Sequence, residues 1–259
     1  MRIDRDFGER IIQEAKKSGC TSAEVFMTSG KGTTVEIKGG EVDALDRDHY
    51  FGYAIRVING ERPGFSYSTQ KEAWKETLNK AIKGAELSDP DPYLDIASPE
   101  DIPFIETYDE KISSLDTDFL ADMVRLIESS AFEYDSRIKK IRKASGSMSS
   151  SEVLLINSKG VNASYKSTSL SGQIMVVAED GNDSQMGWGY DIARFFDDID
   201  FPSIGGDAAR RATELLGAEK ATPIRGEVLF ENHISTEFLG VLASAFSSEN
   251  VQKGKSLLA

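Results

Sequence analysis

Apolar positions recur at two periods along the chain. Phe7, Ile11, Ile12 and Ala15 fall at helical spacing and predict a helix over about 4–18, ended by Gly19. Five short alternating segments follow, at 23–29, 34–39, 41–50, 53–59 and 64–68. The glycines between them read as turns, which makes the stretch a meander of short strands. A second helix is expected from Thr69 to about Leu87, with Ala73, Trp74, Leu78, Ala81 and Ile82 on one face. The order then repeats. Thr117 is placed to cap a helix whose stripe is Phe119, Leu120, Met123, Val124, Ile127 and Ala131. Strands are expected over about 137–148, 151–157, 160–167, 171–179 and 185–193, and a helix at 203–217 closes the unit. Past Thr222-Pro223, residues 227–231 read as a strand, and Ser235 caps a helix carrying Phe238, Leu239, Leu242, Ala245 and Phe246.

This pattern predicts an α+β fold built from two helix–antiparallel meander–helix units. They span 1–88 and 116–221, and residues 222–259 open a further, incomplete domain, since one strand and one helix cannot make a core alone. Between the units, residues 86–118 hold eleven acids against the single base Lys111, and four of the seven prolines. Proline bars helix and central strand, and like charges extend a chain, so 89–115 is expected to be a linker. The two meanders align at an offset of 120, with Gly40 on Gly160, Gly52 on Gly172 and YAIRV (53–57) on QIMVV (173–177), which points to an internal duplication.

Composition narrows the function classes. The chain has 259 residues and a net charge of −13, from 30 Lys+Arg against 43 Asp+Glu. Direct nucleic-acid binding is not expected, because phosphate neutralisation needs a basic face. The one local basic run, Arg137 to Lys143, alternates with apolar residues and reads as a strand with a solvated basic edge. The longest apolar runs fall far short of a membrane span, and the first residues have no apolar signal core. A single cysteine, Cys20, excludes an internal disulfide and fits a reducing compartment, with the cytoplasm as the expectation.

Reactive chemistry is sparse. The two histidines are His49 and His233. His233 and Glu237 are four apart and share a helix face, but they supply two ligands and lack the H-E-x-x-H order of a zinc peptidase. His49 alternates in a strand as a solvated side chain. Gly254-Lys255-Ser256 fails as a phosphate loop because position 249 is glutamate. Ser145 to Ser151 has no nucleophile elbow and reads as a turn with exposed hydroxyls. Cys20 reads as structural. Arg56, in an apolar strand, is either a paired structural cation, the commoner case, or a contact for a ligand carboxylate. No catalytic residue and no metal ligand set emerges, and the peptide-binding residues are not identified.

Three segments carry a family resemblance. GGEVDALDRDHYFGYAIRVINGERPGFSYS, INSKGVNASYKSTSLSGQIMVVAEDG and ARRATELLGAEKATPIRGEVLFENH, in this order, resemble the TldD/PmbA metallopeptidases, also labelled modulators of DNA gyrase. The final VQKGKSLLA is similar to the PmbA/TldE version of the following segment. In the TldD branch a His-Glu-x-x-x-His helix supplies zinc ligands. Here the corresponding helix reads Ser235-Thr-Glu-Phe-Leu-Gly-Val-Leu-Ala-Ser-Ala, which resembles the zinc-free PmbA/TldE subunit. The resemblance implies a β-rich C-terminal domain of which only the first strand and helix are present. It also implies an accessory role in a two-subunit peptidase acting on unfolded peptides or peptide precursors. No cofactor is then expected in this chain; zinc is expected in a TldD-type partner. The alternative is a stand-alone module that binds basic extended peptides at the meander edges. Direct DNA or gyrase modulation rests on the family label alone and runs against the charge.

Overall fold

In the computed structural model, which describes residues 3–256, alternation runs much further than the short segments suggest. Six strands form, β1 (Ser22–Lys38), β2 (Glu41–Asn59), β3 (Arg62–Ser68), β4 (Ile138–Asn157), β5 (Asn162–Asp180) and β6 (Asp183–Ala193). They make one antiparallel sheet in the order β3-β2-β1-β4-β5-β6. The four inner strands are 17–20 residues long, so each absorbs two of the short strands read from the sequence. Gly30, Gly32 and Gly52, taken as turns, stay in the ladder. Gly146 and Gly172 are there for clearance: a methyl at Gly146 would sit 2.7 Å from Val124, and at Gly172 2.7 Å from Ile127. The true turns use positive φ, as at Gly39 and Gly40 between β1 and β2.

Helices cover one face of the sheet. They are α1 (Arg5–Lys17), α2 (Trp74–Leu87), α3 (Glu110–Ser114), α4 (Thr117–Tyr134) and α5 (Phe201–Glu214). Asp116, rather than Thr117, caps α4, its carboxylate accepting from Phe119 N at 2.8 Å. The helix at 203–217 begins earlier, at Phe201, with Pro202 in its first turn. Two apolar cores result. Phe7, Ile11, Val25, Met27, Tyr53, Ile55 and Leu78 belong to one, under α1 and α2. Val35, Ile37, Leu120, Ile127, Leu170 and Ile174 belong to the other, under α4 and α5. Each fully buried Leu or Ile contributes about 1.5–3 kcal/mol relative to exposure.

The duplication read from the sequence has a geometric counterpart. The β1–β4 ladder is symmetric about the step between Gly30 and Lys31, opposite Ser151 and Ser150. A shift of 120 residues carries that midpoint of β1 onto that of β4. A pseudo-two-fold axis therefore passes through the centre of the sheet and joins the two meanders through their first strands.

The chain from α2 to α4 is held along the sheet. Ile96 and Ile112 are buried, Asp91 N donates to Glu61 O at 2.8 Å, and Asn157 Nδ2 donates to Ala97 O at 2.8 Å. The last proline of the 89–115 segment is Pro103, and beyond it Asp109 caps α3, a short helix within that segment. By contact the chain divides into a unit ending at Gly217 and a second unit from Ala218. The second holds α6 (Asn232–Ala245) and α7 (Ser248–Gln252). Residues 227–231 are irregular rather than a strand, because no strand among the described residues pairs with them. Ser235 lies inside α6, which starts after Glu231. The last three residues of VQKGKSLLA lie outside the described residues.

Candidate functional site

The two cores leave a polar strip between them on the helix-bearing face, at the pseudo-axis. Three transverse rows cross it. Phe51, Ser29, Glu152 and Lys166 face one another on β2, β1, β4 and β5; next come His49, Lys31, Ser150 and Thr168; then Arg47, Thr33, Met148 and Leu170. Neither helix pair covers the middle row, and a cleft of about 330 Å³ opens there, walled by Ile112, Ser113 and Leu115 to Asp118, from the end of α3 to the start of α4. A second hollow of about 260 Å³ adjoins it, sharing Lys31 and Ser150 and reaching His49, Tyr108 and Lys166.

Neutral groups hold the cleft's cations. Lys31 Nζ donates to the Ser113 carbonyl at 3.1 Å, and Arg47 Nη2 donates to Thr117 Oγ1 at 2.5 Å. Lys166 Nζ lies 5.6 Å from the centre of the Tyr108 ring. Among the described residues none of the three has a carboxylate within 4.0 Å. The wall is fixed by a buried network: Thr168 Oγ1 donates to Arg194 O and accepts from Asp109 N, both at 2.9 Å, while Asp109 accepts from Phe196 N at 2.8 Å. Lys111 bridges α3 to Asp197 at 2.8 Å, and this hydrogen bond raises the lysine pKa above its ordinary value.

Of the residues singled out from the sequence, Arg56 belongs to the unit ending at Gly217, and His233 and Glu237 to the unit from Ala218. Arg56 sits opposite Glu24 on the helix-free face, Nη2 to Oε1 at 2.8 Å, with its Nε buried and without a partner. His233 and Glu237 share one side of α6, 3.9 Å apart. Among the described residues no group of three His, Cys, Asp or Glu side chains is placed to hold a metal ion. His49 is exposed and lines the hollow that adjoins the cleft. The serine-rich stretch is the middle of β4 and not a turn; Ser147 Oγ lies 2.9 Å from Thr34 Oγ1 on β1. The basic run is a solvated edge, as its alternation suggests: residues 138–143 pair with β5 alone, because the β1 ladder reaches only Ala144. It begins the central strand β4, with ladder irregularities at Lys139 and Arg142, and Lys140 and Lys143 pair with Glu179 and Glu36.

The two sheet edges are partly covered. On β3, Pro63 has no N–H, and its carbonyl accepts from Ser88 Oγ at 2.7 Å. On β6, the Trp188 carbonyl accepts from Arg211 Nη1 at 2.7 Å. Lys31, Arg47 and Lys166 were not candidates from the sequence. Their signal was a polar residue at each position where alternation calls for an apolar one.

A six-stranded sheet with two helix-covered lobes around a central polar cleft defines a paired-domain α+β protein. Among the described residues no helix is long and apolar enough to cross a membrane. The PmbA/TldA metallopeptidase domain 1 matches residues 23–85, and the PmbA/TldA metallopeptidase central domain matches residues 110–216. Metalloprotease PmbA of Escherichia coli O157:H7 is 26% identical over 243 residues, covering 91% of this chain and 54% of that protein. A Metalloprotease PmbA homolog of Buchnera aphidicola subsp. Acyrthosiphon pisum is 30% identical over 249 residues, covering 92% and 54%. TldE of Thermococcus kodakarensis superposes with a TM-score of 0.72 at 18% identity, over 80% of this chain and 47% of that one. A Bacteroides thetaiotaomicron protein bearing the DNA gyrase modulator name gives 0.82 at 20%, over 98% and 60%. The chain belongs to the TldD/PmbA metallopeptidase family. It spans about half the length of the curated relatives it matches.

Proposed function

We propose that this chain is the metal-free, accessory member of a two-subunit peptidase and works beside a TldD-type subunit that holds the zinc. The observation that carries the reading is α6. It occupies the place where the catalytic branch is expected to carry His-Glu-x-x-x-His, and its donors are His233 and Glu237. Two donors on one helix do not fit a catalytic zinc, which takes three protein ligands and a water. The similarity to PmbA proteins over nine-tenths of the chain supports the same branch. In this reading the chain forms part of the wall of a peptide-holding cavity, in the cytoplasm. It binds unfolded peptides or peptide precursors without taking part in bond cleavage. The covered edges of β3 and β6 disfavour a stand-alone module that recruits strands there.

The test is co-purification with a TldD-type partner, followed by zinc analysis and a peptide-cleavage assay. The expected result is a complex with one zinc per pair and cleavage only in the mixture. Cleavage by the purified chain with added zinc and no partner would overturn the proposal.

A further inference from the structure

The polar cleft has a chemistry that the accessory role does not require. We infer that it is a binding site for the acidic segment of an extended polypeptide, with Lys31, Arg47 and Lys166 taking its carboxylates. The inference rests on the peptide-handling part of the proposed function and names the class of peptide.

The three cations project from strands on the same face as the helices, and none is neutralised by a carboxylate at contact distance among the described residues. Their present partners are a carbonyl, a hydroxyl and an aromatic ring, each of which a carboxylate would outcompete or supplement, since charge-assisted bonds are about twice as strong as neutral ones. Acids are also present, but they are engaged. Asp116 caps α4, and Asp118 stands in that helix's first turn, where the helix dipole offsets negative charge. Glu152 faces Lys166 across the ladder and leaves Lys31 and Arg47 uncompensated. The hydroxyls of Thr33 and Ser150 line the floor, supplying donors that do not select against either charge.

The dimensions favour a chain over a small anion. Cations on β2, β1 and β5 span three strand spacings, roughly 14 Å, which is about four residues of extended peptide. Carboxylates on alternate residues of such a chain recur about every 7 Å. Lys31 and Arg47, on neighbouring strands and one row apart, have Cα atoms roughly 8 Å from each other, within reach of two such groups. The net charge of −13 works the other way at long range. Local attraction and global repulsion thus oppose each other, so salt dependence is a poor test and charge removal at named positions a good one.

The experiment uses the full chain and three fluorescent unstructured probes of about twelve residues, alternating Ser with Glu, with Gln or with Lys. Fluorescence anisotropy is expected to rank the Glu probe first. Lys31→Gln, Arg47→Gln and Lys166→Gln should each weaken it by about five- to tenfold, and Lys31→Arg should retain most of the affinity. Lys80→Gln, which removes a cation paired with Glu76 on α2, should change nothing. Thermal unfolding of every variant separates loss of contact from loss of fold. Equal binding of all three probes, preference for the Lys probe, tighter binding of duplex DNA than of the Glu probe, or folded variants with unchanged affinity would each overturn the inference. Pull-down of a TldD-type partner by the same variants reads the proposed function separately. Loss of Glu-probe binding with the partner retained supports the cleft assignment. Absence of the partner complex for the unaltered chain counts against the accessory role and leaves the probe ranking to decide the cleft.

Discussion

A methyl group at Gly64 would collide with the backbone of α2. Its position lies 1.9 Å from the Ala81 carbonyl oxygen and 2.9 Å from both Ala81 C and Ala85 N. These atoms are main chain inside a helix, so no rotamer change relieves the clash and α2 must retreat from β3. That retreat loosens Leu78, Ala81 and Ala85, all buried. Overpacking of this kind costs about 1–3 kcal/mol, and with backbone as the obstacle the upper end is expected for Gly64→Ala. For a chain of this size, that lowers the melting temperature by about 4–10 °C. Gly187 repeats the arrangement in the second lobe, where a methyl would sit 2.0 Å from the Ala208 carbonyl oxygen, and Gly187→Ala should lose as much. Gly206 is the control. It lies inside α5, a methyl there meets only Tyr134 at 3.7 Å, and Gly206→Ala should gain about 0.5–1 kcal/mol from helix propensity. Urea and thermal unfolding of the three variants decide the matter. If Gly64→Ala costs less than about 0.5 kcal/mol, the range of ordinary surface changes, the close approach of α2 to β3 is wrong.

Other consequences are independent of that contact. Glu128 Oε2 accepts from Gly40 N at 3.0 Å, and Arg125 Nε donates to Gly40 O at 2.8 Å, so two side chains of α4 hold the β1–β2 turn. Glu128→Ala should cost about 1–3 kcal/mol and speed amide exchange at residues 39–41, with Glu128→Gln milder; unchanged exchange would refute the clamp. Asp135 is held by Arg137 hydrogen bonds, which lower its pKa from 3.8 to about 2. A depressed carboxyl stabilises the fold above its unfolded pKa and stops doing so as pH falls through the folded one. The stability difference between the natural chain and Asp135→Asn should therefore be constant above about pH 5 and shrink towards pH 2 in urea titrations; a difference that grows on acidification would contradict the pairing. Cys20 is buried, and desolvation raises its thiol pKa, so a thiol reagent at pH 8 should react slowly with the native chain and rapidly in denaturant.

Helices α1, α2, α4 and α5 were legible because each carries an apolar stripe that its own core demands. Phe7, Ile11 and Ala15 on α1 and Leu120, Val124 and Ile127 on α4 are buried where helical periodicity puts them. Strand existence was legible too, but strand length was not. Glycine and serine carry the same weight in a sequence whether they form a turn or clear space beneath a helix, and only the presence of Leu120, Val124 and Ile127 above Gly146 and Gly172 distinguishes the two. The fusion of both meanders into one sheet was hidden for a different reason. It depends on β1 pairing with β4 across more than a hundred residues, and no local pattern encodes a partner.

The same ambiguity concealed the cleft. A long strand that crosses from one core to another has to pass an interval in which neither helix layer covers it, and there its inward positions turn polar. Lys31 and Thr33 lie between Met27 of one core and Val35 of the other; Ser150 and Glu152 lie between Ala144 and Leu154; Arg47 and His49 precede Phe51. Read along one strand, each interruption is a loop. Read across four paired strands, the interruptions fall in adjacent rows and build a single floor. A random set of solvent-facing breaks would not align in this way, and two lobes related by a pseudo-two-fold axis would bring any such interval onto the axis by construction. The charges are not symmetric about it: Lys31 on β1 corresponds to Ser151 on β4 at the offset of 120. Symmetry therefore accounts for the position of the floor, while its cations are particular to the individual strands. That separation makes Lys31, Arg47 and Lys166 the residues whose charge, rather than whose place in the fold, is open to a functional test.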